Sequence, residues 1–224
     1  MIEDVLKLIA PHSCVSCRQL GNLLCDGCRE SYVVHLPSRC FLCKKITLDH
    51  RSCDNCYAKT KLKHVWVGAE YEEPISTLIQ KFKYNNAKDA YKIFANFLAD
   101  VLPHGLPSNM LVTHVPTANN RIRVRGYDQC ELLARKLAKQ RGWQYSRLLL
   151  RVTNARQVGS SKHARLHQMD GAFWAINQNE IAGKEILIID DVVTTGATLS
   201  ACAKTLKNAG AKTVSAIAIA QTCE

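Results

Sequence analysis

The sequence predicts an α/β protein: a mostly parallel sheet carrying helices, preceded by a small N-terminal cysteine module. Three observations predict it. From residue 57 onward, strand-like apolar runs alternate with segments of helical period, and strands separated by helices need crossovers that leave neighbours parallel. Eight of the eleven cysteines fall between residues 14 and 56. The length of 224 residues suits one α/β domain of about 150 residues with a small appendage. At 47% hydrophobic and 22% charged residues, the composition excludes a disordered chain, a collagen-like repeat and a coiled coil.

The cysteines form four C-x-x-C pairs: Cys14 and Cys17, Cys25 and Cys28, Cys40 and Cys43, Cys53 and Cys56. A two-residue gap lets both thiolates of a pair face one tetrahedral ion, and two pairs complete a four-cysteine zinc site. Eight thiols therefore suffice for two Zn²⁺ ions, structural because no coordination position stays open for water. Redox-active pairs are the alternative, and four regular units fit a metal scaffold better. The spacing leaves open whether the pairs are used in order or interleaved. So short a segment cannot fold on burial alone, and metal binding would supply on the order of 10 kcal/mol per site. The expected division is residues 1–60 for the double zinc module and 61–224 for the α/β domain.

Along that domain, 64–71 reads as a strand and Glu73 to Phe82 as a helix with Pro74 in its first turn. Ile93, Phe94, Phe97, Leu98 and Val101 mark a second helix, stopped by Pro103, Gly105 and Pro107. A strand at 110–115 precedes Pro116 and a polar loop at 116–126. A helix through Leu132, Leu133 and Leu137 follows, and 145–152 reads as a further strand. The apolar run 186–189 stops at two aspartates, a Thr/Gly turn opens a helix through Leu199, Ala203 and Leu206, Gly210 ends it, and 213–219 is the last strand. Ligands of such sheets bind beyond the carboxyl ends of the strands, here the loops at 116–126 and 190–198.

The run Ile186 to Thr198 carries the chemistry. Asp190 and Asp191 end a strand, Val192 and Val193 follow, and Thr194, Thr195, Gly196, Ala197 and Thr198 turn into a helix. A helix N-terminus offers unpaired N–H groups to a phosphate, threonine hydroxyls add donors, and Gly196 admits close backbone approach. The carboxylates suit a vicinal diol. Phosphate at one end and diol at the other describe a ribose 5-phosphate. A helix cap alone would explain a threonine but not the adjacent acids.

This run resembles the 5-phosphoribosyl 1-pyrophosphate (PRPP) signature of the type I phosphoribosyltransferases. The order of cysteine finger, Val115-Pro116, Arg121, Arg123, Arg125, Gly126, Tyr127, Asp128, Gln129, then Gln157, Arg165, Gly171-Ala172-Phe173 and the PRPP loop is similar to the ComF/GntX family along nearly the whole chain. The family usually has Phe-Asn where Tyr127 and Asp128 stand, and Asn where Gln168 stands. The resemblance implies a type I phosphoribosyltransferase sheet with a double zinc ribbon, and Mg²⁺-dependent PRPP binding at 190–198. It also implies a part in uptake or handling of single-stranded DNA in natural transformation, alongside other competence proteins. Phosphoribosyl transfer to an unidentified acceptor is the alternative. A mobile loop closing over PRPP and excluding water is implied for Arg156, Gln157, Lys162 and Arg165.

The formal net charge of +11 calls for a polyanionic partner, and between residues 119 and 165 twelve Lys or Arg face two acids. Arg121, Arg123 and Arg125 are the candidate contacts to pyrophosphate or to a nucleic-acid backbone. No apolar run approaches the 18 or more residues of a membrane-spanning helix, and the first ten residues carry Glu3 and Asp4 without a basic n-region. The expected location is the cytoplasm, with Val5, Leu6, Leu8 and Ile9 as a peripheral contact to the inner face of the membrane.

Overall fold

A computed structural model describes residues 12–32, 37–84, 89–152 and 172–222. The cysteine segment holds β1 (His12–Ser13), β2 (Leu20–Gly21), α1 (Asp26–Tyr32), a single 3₁₀ turn (Leu48–His50) and α2 (Asp54–Thr60). Next come β3 (Val65–Glu70), α3 (Ile75–Tyr84), α4 (Ala90–Val101), β4 (Leu111–His114), α5 (Asn119–Arg125), α6 (Gln129–Arg141) and β5 (Gln144–Tyr145). Then β6 (Leu149–Arg151), β7 (Phe173–Ala175), α7 (Gln178–Ile181), β8 (Glu185–Val193), α8 (Ala197–Asn208) and β9 (Thr213–Gln221) complete the chain.

The main sheet has five strands in the order β3-β9-β8-β4-β5, every neighbour parallel. Its central strand β8 reads as an unbroken apolar run because both faces are covered. Side chains alternate across a strand, so Leu187 and Ile189 join one core with Phe82, Phe94, Phe97, Leu133 and Leu137 of α3, α4 and α6. Ile186 and Ile188 join the other, with Leu199, Cys202 and Leu206 of α8. Burying each large side chain here stabilises the fold by roughly 1.5–3 kcal/mol.

The cysteine segment grips both faces. Cys14, Leu23 and Leu24 belong to the first core, while Phe41 and Leu62 belong to the second. Backbone bonds fasten it to the start of β3: Ser52 N–H donates to Lys63 O at 2.9 Å, and Lys63 N–H to Val214 O of β9 at 2.7 Å.

Three expectations need correction. The expected strand at 145–152 is two pieces: β5 ends at Tyr145, and β6 pairs antiparallel with β7 outside the main sheet. The break falls where Ser146 N–H donates to Val112 O and Leu148 N–H to the Thr113 hydroxyl, which turns the chain off the sheet. The expected loop at 116–126 contains α5, closed by Gly126 in the left-handed region at φ 80. And β8 does not stop at the aspartates but runs to Val193, because Asp190, Val192 and Val193 keep their register with Ala218, Ala220 and Gln221 of β9.

Gly68 in β3 lies under Phe97: a Cβ there would come 2.2 Å from Phe97 Cε1 and 2.9 Å from the Ile219 carbonyl oxygen. Gly68→Ala is expected to cost about 1–3 kcal/mol of stability, read from the chemical-denaturation midpoint. Gly105→Ala, whose Cβ meets nothing within 4 Å, serves as the unaffected control.

Candidate functional site

The two metal clusters are Cys14, Cys17, Cys25, Cys28 and Cys40, Cys43, Cys53, Cys56, each with its sulfurs within 4.8 Å of one another. The pairs are therefore used in order. Sulfur separations of 3.6 Å for Cys17–Cys25 and 3.5 Å for Cys43–Cys53 are close to the edge of about 3.8 Å that four Zn–S bonds of 2.3 Å impose on a tetrahedron. The two sites are built alike. Each first pair is a tight knuckle whose following residue has positive φ, Arg18 at 65 and Lys44 at 60, with its N–H bonded to the carbonyl of Cys14 or Cys40. Each second pair opens a helix, α1 or α2.

Burial alone would raise the Cys14 thiol, yet backbone hydrogen bonds at Cys25, Cys17 and Ser16 bring it down to about 6. Cys40 is lowered to about 6 in the same way, burial being outweighed by backbone bonds at Cys43, Cys53 and Leu42. Backbone donors aimed at thiolates are what a soft divalent ion requires of its surroundings. The residues fit zinc.

The PRPP-like run begins inside the sheet. Asp190 and Asp191 are each 8% exposed, so two adjacent carboxylates share one desolvated strand end. The structure resolves the conflict by treating them differently. Asp191 accepts from Lys83 Nζ of α3 at 2.9 Å and from Gln129 Nε2 of α6 at 3.0 Å. Among the described residues Asp190 has no cation of its own: it accepts from the Asp191 backbone N–H at 2.9 Å and the Cys130 thiol at 3.8 Å. Burial, then repulsion by Asp191, pushes its carboxyl up to about 8, so it keeps its proton at neutral pH.

Beyond Val193 the chain turns through Thr194 and Thr195, both exposed, to buried Gly196 at φ 73, and then into α8 with Ala197 and Thr198 exposed. Thr195 Oγ1 accepts from Ala197 N–H at 3.4 Å. Val192 is half-buried and Val193 buried.

Of the arginines, only Arg125 is drawn in. Its Nη1 donates to Gln129 Oε1 at 2.6 Å and its guanidinium lies 5.1 Å from the Tyr84 ring centre. The chain Arg125–Gln129–Asp191–Lys83 is continuous. Arg121 and Arg123 stay exposed. Arg156, Gln157, Lys162 and Arg165 lie outside the described residues, as do Val5, Leu6, Leu8 and Ile9. No helix among the described residues is long and apolar enough to cross a membrane.

Sequence reasoning missed Lys83 and Phe41. The Phe41 ring occupies the space over Gly196, where a Cβ would come 2.4 Å from Phe41 Cε2. One signal was present: Phe41 and Leu42 are bulky and apolar, whereas the second pair holds Asp26 and Gly27 and the last Asp54 and Asn55.

A family model described as "Phosphoribosyl transferase domain" matches residues 127–222. Competence protein F of Haemophilus influenzae is 29% identical over 220 residues, spanning 90% of this chain and 93% of its own. The DNA utilization protein YhgH of Salmonella typhi is 30% identical over 223 residues, spanning 92% of this chain and 96% of its own. The chain belongs to the ComF family. A solved glutamine PRPP amidotransferase from B. subtilis superposes with a TM-score of 0.41 at 19% identity, covering 57% of this chain and 25% of its own length.

Asp128, at a position where the ComF family usually carries Asn, has a local task. Its side chain caps α6, accepting from the N–H groups of Cys130 and Glu131, and ties down the preceding loop through Thr117 N–H at 2.9 Å and its hydroxyl at 3.1 Å. Tyr127, in the usual Phe position, adds a hydroxyl that donates to the Phe82 carbonyl at 2.5 Å.

Two outcomes are expected. The unfolded chain ionises Asp190 near 3.8, whereas the folded chain holds its proton to about 8, so across that window the unfolded state carries fewer protons and stability falls as pH rises. Asp190→Asn, which cannot ionise, escapes the fall. Its denaturation midpoint should gain on the parent from about pH 5 to about pH 8 and level off above; a pH-independent difference would show that the buried carboxyl ionises normally. Separately, Cys43→Ser should remove one of two zinc equivalents measured by chelator assay and leave the other, since the clusters share no ligand.

Proposed function

We propose that the chain binds PRPP, with Mg²⁺ carried on its pyrophosphate, and serves the handling of incoming single-stranded DNA in competence. In this reading residues 1–60 form the metal-held module and 61–224 the phosphoribosyltransferase-like domain. The observation that carries it is the junction at 190–198: a buried acid pair running directly into an exposed threonine turn and a helix of twelve residues. The phosphate lodges on the turn, where N–H groups and hydroxyls converge. Asp191, paired with Lys83, accepts from one ribose hydroxyl, and protonated Asp190 both accepts and donates. Lys83 and Arg125 bring two cations to the acid pair, Lys83 directly and Arg125 through Gln129, which favours the pyrophosphate end.

Mg²⁺ demands oxygen ligands and keeps several waters, taking most of its protein-site ligands from substrate phosphates. The acids here do not by themselves form a cage for it, one being paired with Lys83 and the other protonated. The ion therefore enters with its ligand, and no protein residue is assigned to it.

The DNA role is supported by the names of the relatives, a competence protein and a DNA utilization protein, and by the exposed Arg121 and Arg123 beside half-buried Arg125. Lys83 and Gln129 make Asp191 the better probe of the sugar site. Isothermal calorimetry with PRPP and Mg²⁺ should give at least about ten-fold weaker binding for Asp191→Ala, the loss expected when a charged hydrogen-bond partner goes; equal affinities would remove the sugar site from the acid pair. Pyrophosphate release with candidate acceptors separates turnover from binding alone. For DNA, replacing Arg121, Arg123 and Arg125 together should flatten the log K against log salt slope by about 2, at roughly 0.7 per neutralised phosphate on a single strand. An unchanged slope would place the DNA elsewhere.

A further inference from the structure

The second zinc knuckle leans over the threonine turn. Phe41, between ligands Cys40 and Cys43, is 6% exposed and packs into the core of Val193, Leu199 and Cys202. Its ring fills the space above Gly196, so position 196 is barred to a side chain twice over, by φ 73 and by Phe41. The next residue after Cys43, Lys44, is held at φ 60 with its N–H on the Cys40 carbonyl at 2.9 Å. Its backbone is thus set by the knuckle that zinc would close.

Between the knuckle and the turn lies a cavity of about 160 Å³ lined by Lys44, Thr194, Thr195, Gln221 and Thr222, with Phe41 and Leu42 as its apolar side. It is smaller than the roughly 300–1,000 Å³ that drug-sized ligands occupy, and suits a single small group. Threonine hydroxyls and a lysine ammonium are the kinds of donor a phosphomonoester takes. A second cavity of about 290 Å³ shares Phe41 and Lys44 and adds Arg39, His50 and one carboxylate, Glu70, so cations outnumber acids along the seam.

We propose that the second zinc knuckle is part of the phosphate site: Lys44 contacts the phosphomonoester seated on Thr194 and Thr195, and Phe41 holds the turn beneath it. This rests on the assignment of 190–198 as a phosphoribosyl site and extends it to a residue outside the phosphoribosyltransferase domain. It follows that zinc in the Cys40, Cys43, Cys53, Cys56 cluster is linked to phosphate binding, because a ligand that bridges knuckle and turn stabilises the closed knuckle. The other cluster packs on the opposite face of the sheet through Leu23 and Leu24 and is not linked.

The test is calorimetry with ribose 5-phosphate, a phosphomonoester without pyrophosphate, on the full chain loaded with zinc. Lys44→Ala should weaken binding about ten-fold, Lys44→Glu further, and Lys44→Arg should recover most of it, while Arg18→Ala at the matching place in the first knuckle changes nothing. Zinc release to a chelator supplies a readout independent of affinity. Saturating ribose 5-phosphate should slow the loss of one zinc equivalent in the parent and not in Lys44→Ala. Equal binding by parent and Lys44→Ala, with release unaffected by ligand, overturns the role of the knuckle and leaves the sugar site standing. If the parent binds neither ribose 5-phosphate nor PRPP, both assignments fall together.

Discussion

Two neighbouring carboxylates on a buried central strand cannot both carry charge without help, and the surroundings of β8 are arranged around that constraint. Lys83 from the end of α3 and Gln129 from the first turn of α6 converge on Asp191. Asp190 is left with a thiol and a backbone N–H and keeps its proton. Removing one partner of a buried pair costs more than the pair contributes, because the remaining charge is stranded. The acids therefore add a polar tie between α3, α6 and the sheet to the contacts of the apolar core. They also link two distant stretches of chain: Arg125 reaches Asp191 only through Gln129, so α5 is oriented by the same carboxylate.

The cysteine segment follows a different logic. It has few large apolar residues of its own: Leu23 and Leu24 pack on one face of the sheet and Phe41 on the other, while Leu20, Ile46 and Leu48 stay exposed. Metal ligation at the two four-cysteine groups would replace the missing core, and the two knuckles, built on the same pattern of bonds, lie at opposite faces. Ion pairs add little: Arg29 to Asp100 at 3.8 Å joins α1 to α4 at the surface.

What the sequence revealed depended on how local the physics is. The eight thiols were legible because ligand spacing is a covalent matter, and Asp190 to Thr198 because strand, turn and helix follow one another without a gap. The order in which the cysteine pairs combine was not, since chain spacing permits interleaving. Residues 119–125 were misread because Pro116 and alternating arginines suggest a loop; the helix is defined by Ala118 before it and Gly126 behind it. Lys83 lies far along the chain from Asp191, and no periodicity announces such a pairing. Phe41 against Gly196 left only the bulk of the third cysteine pair's inner residues as a signal.

The sheet ends in two very different margins. On one side β5 has two residues, with the chain then diverted into the β6–β7 ribbon. On the other, Arg51 bridges His64 at the root of β3, so the cysteine segment sits where a foreign strand would begin to pair. Two residues at one border and a bridged root at the other shorten the row of free amides and carbonyls that the described residues offer to a passing polypeptide. An all-parallel sheet, slow to assemble and open at its rims while it does so, is thereby guarded against stacking on copies of itself.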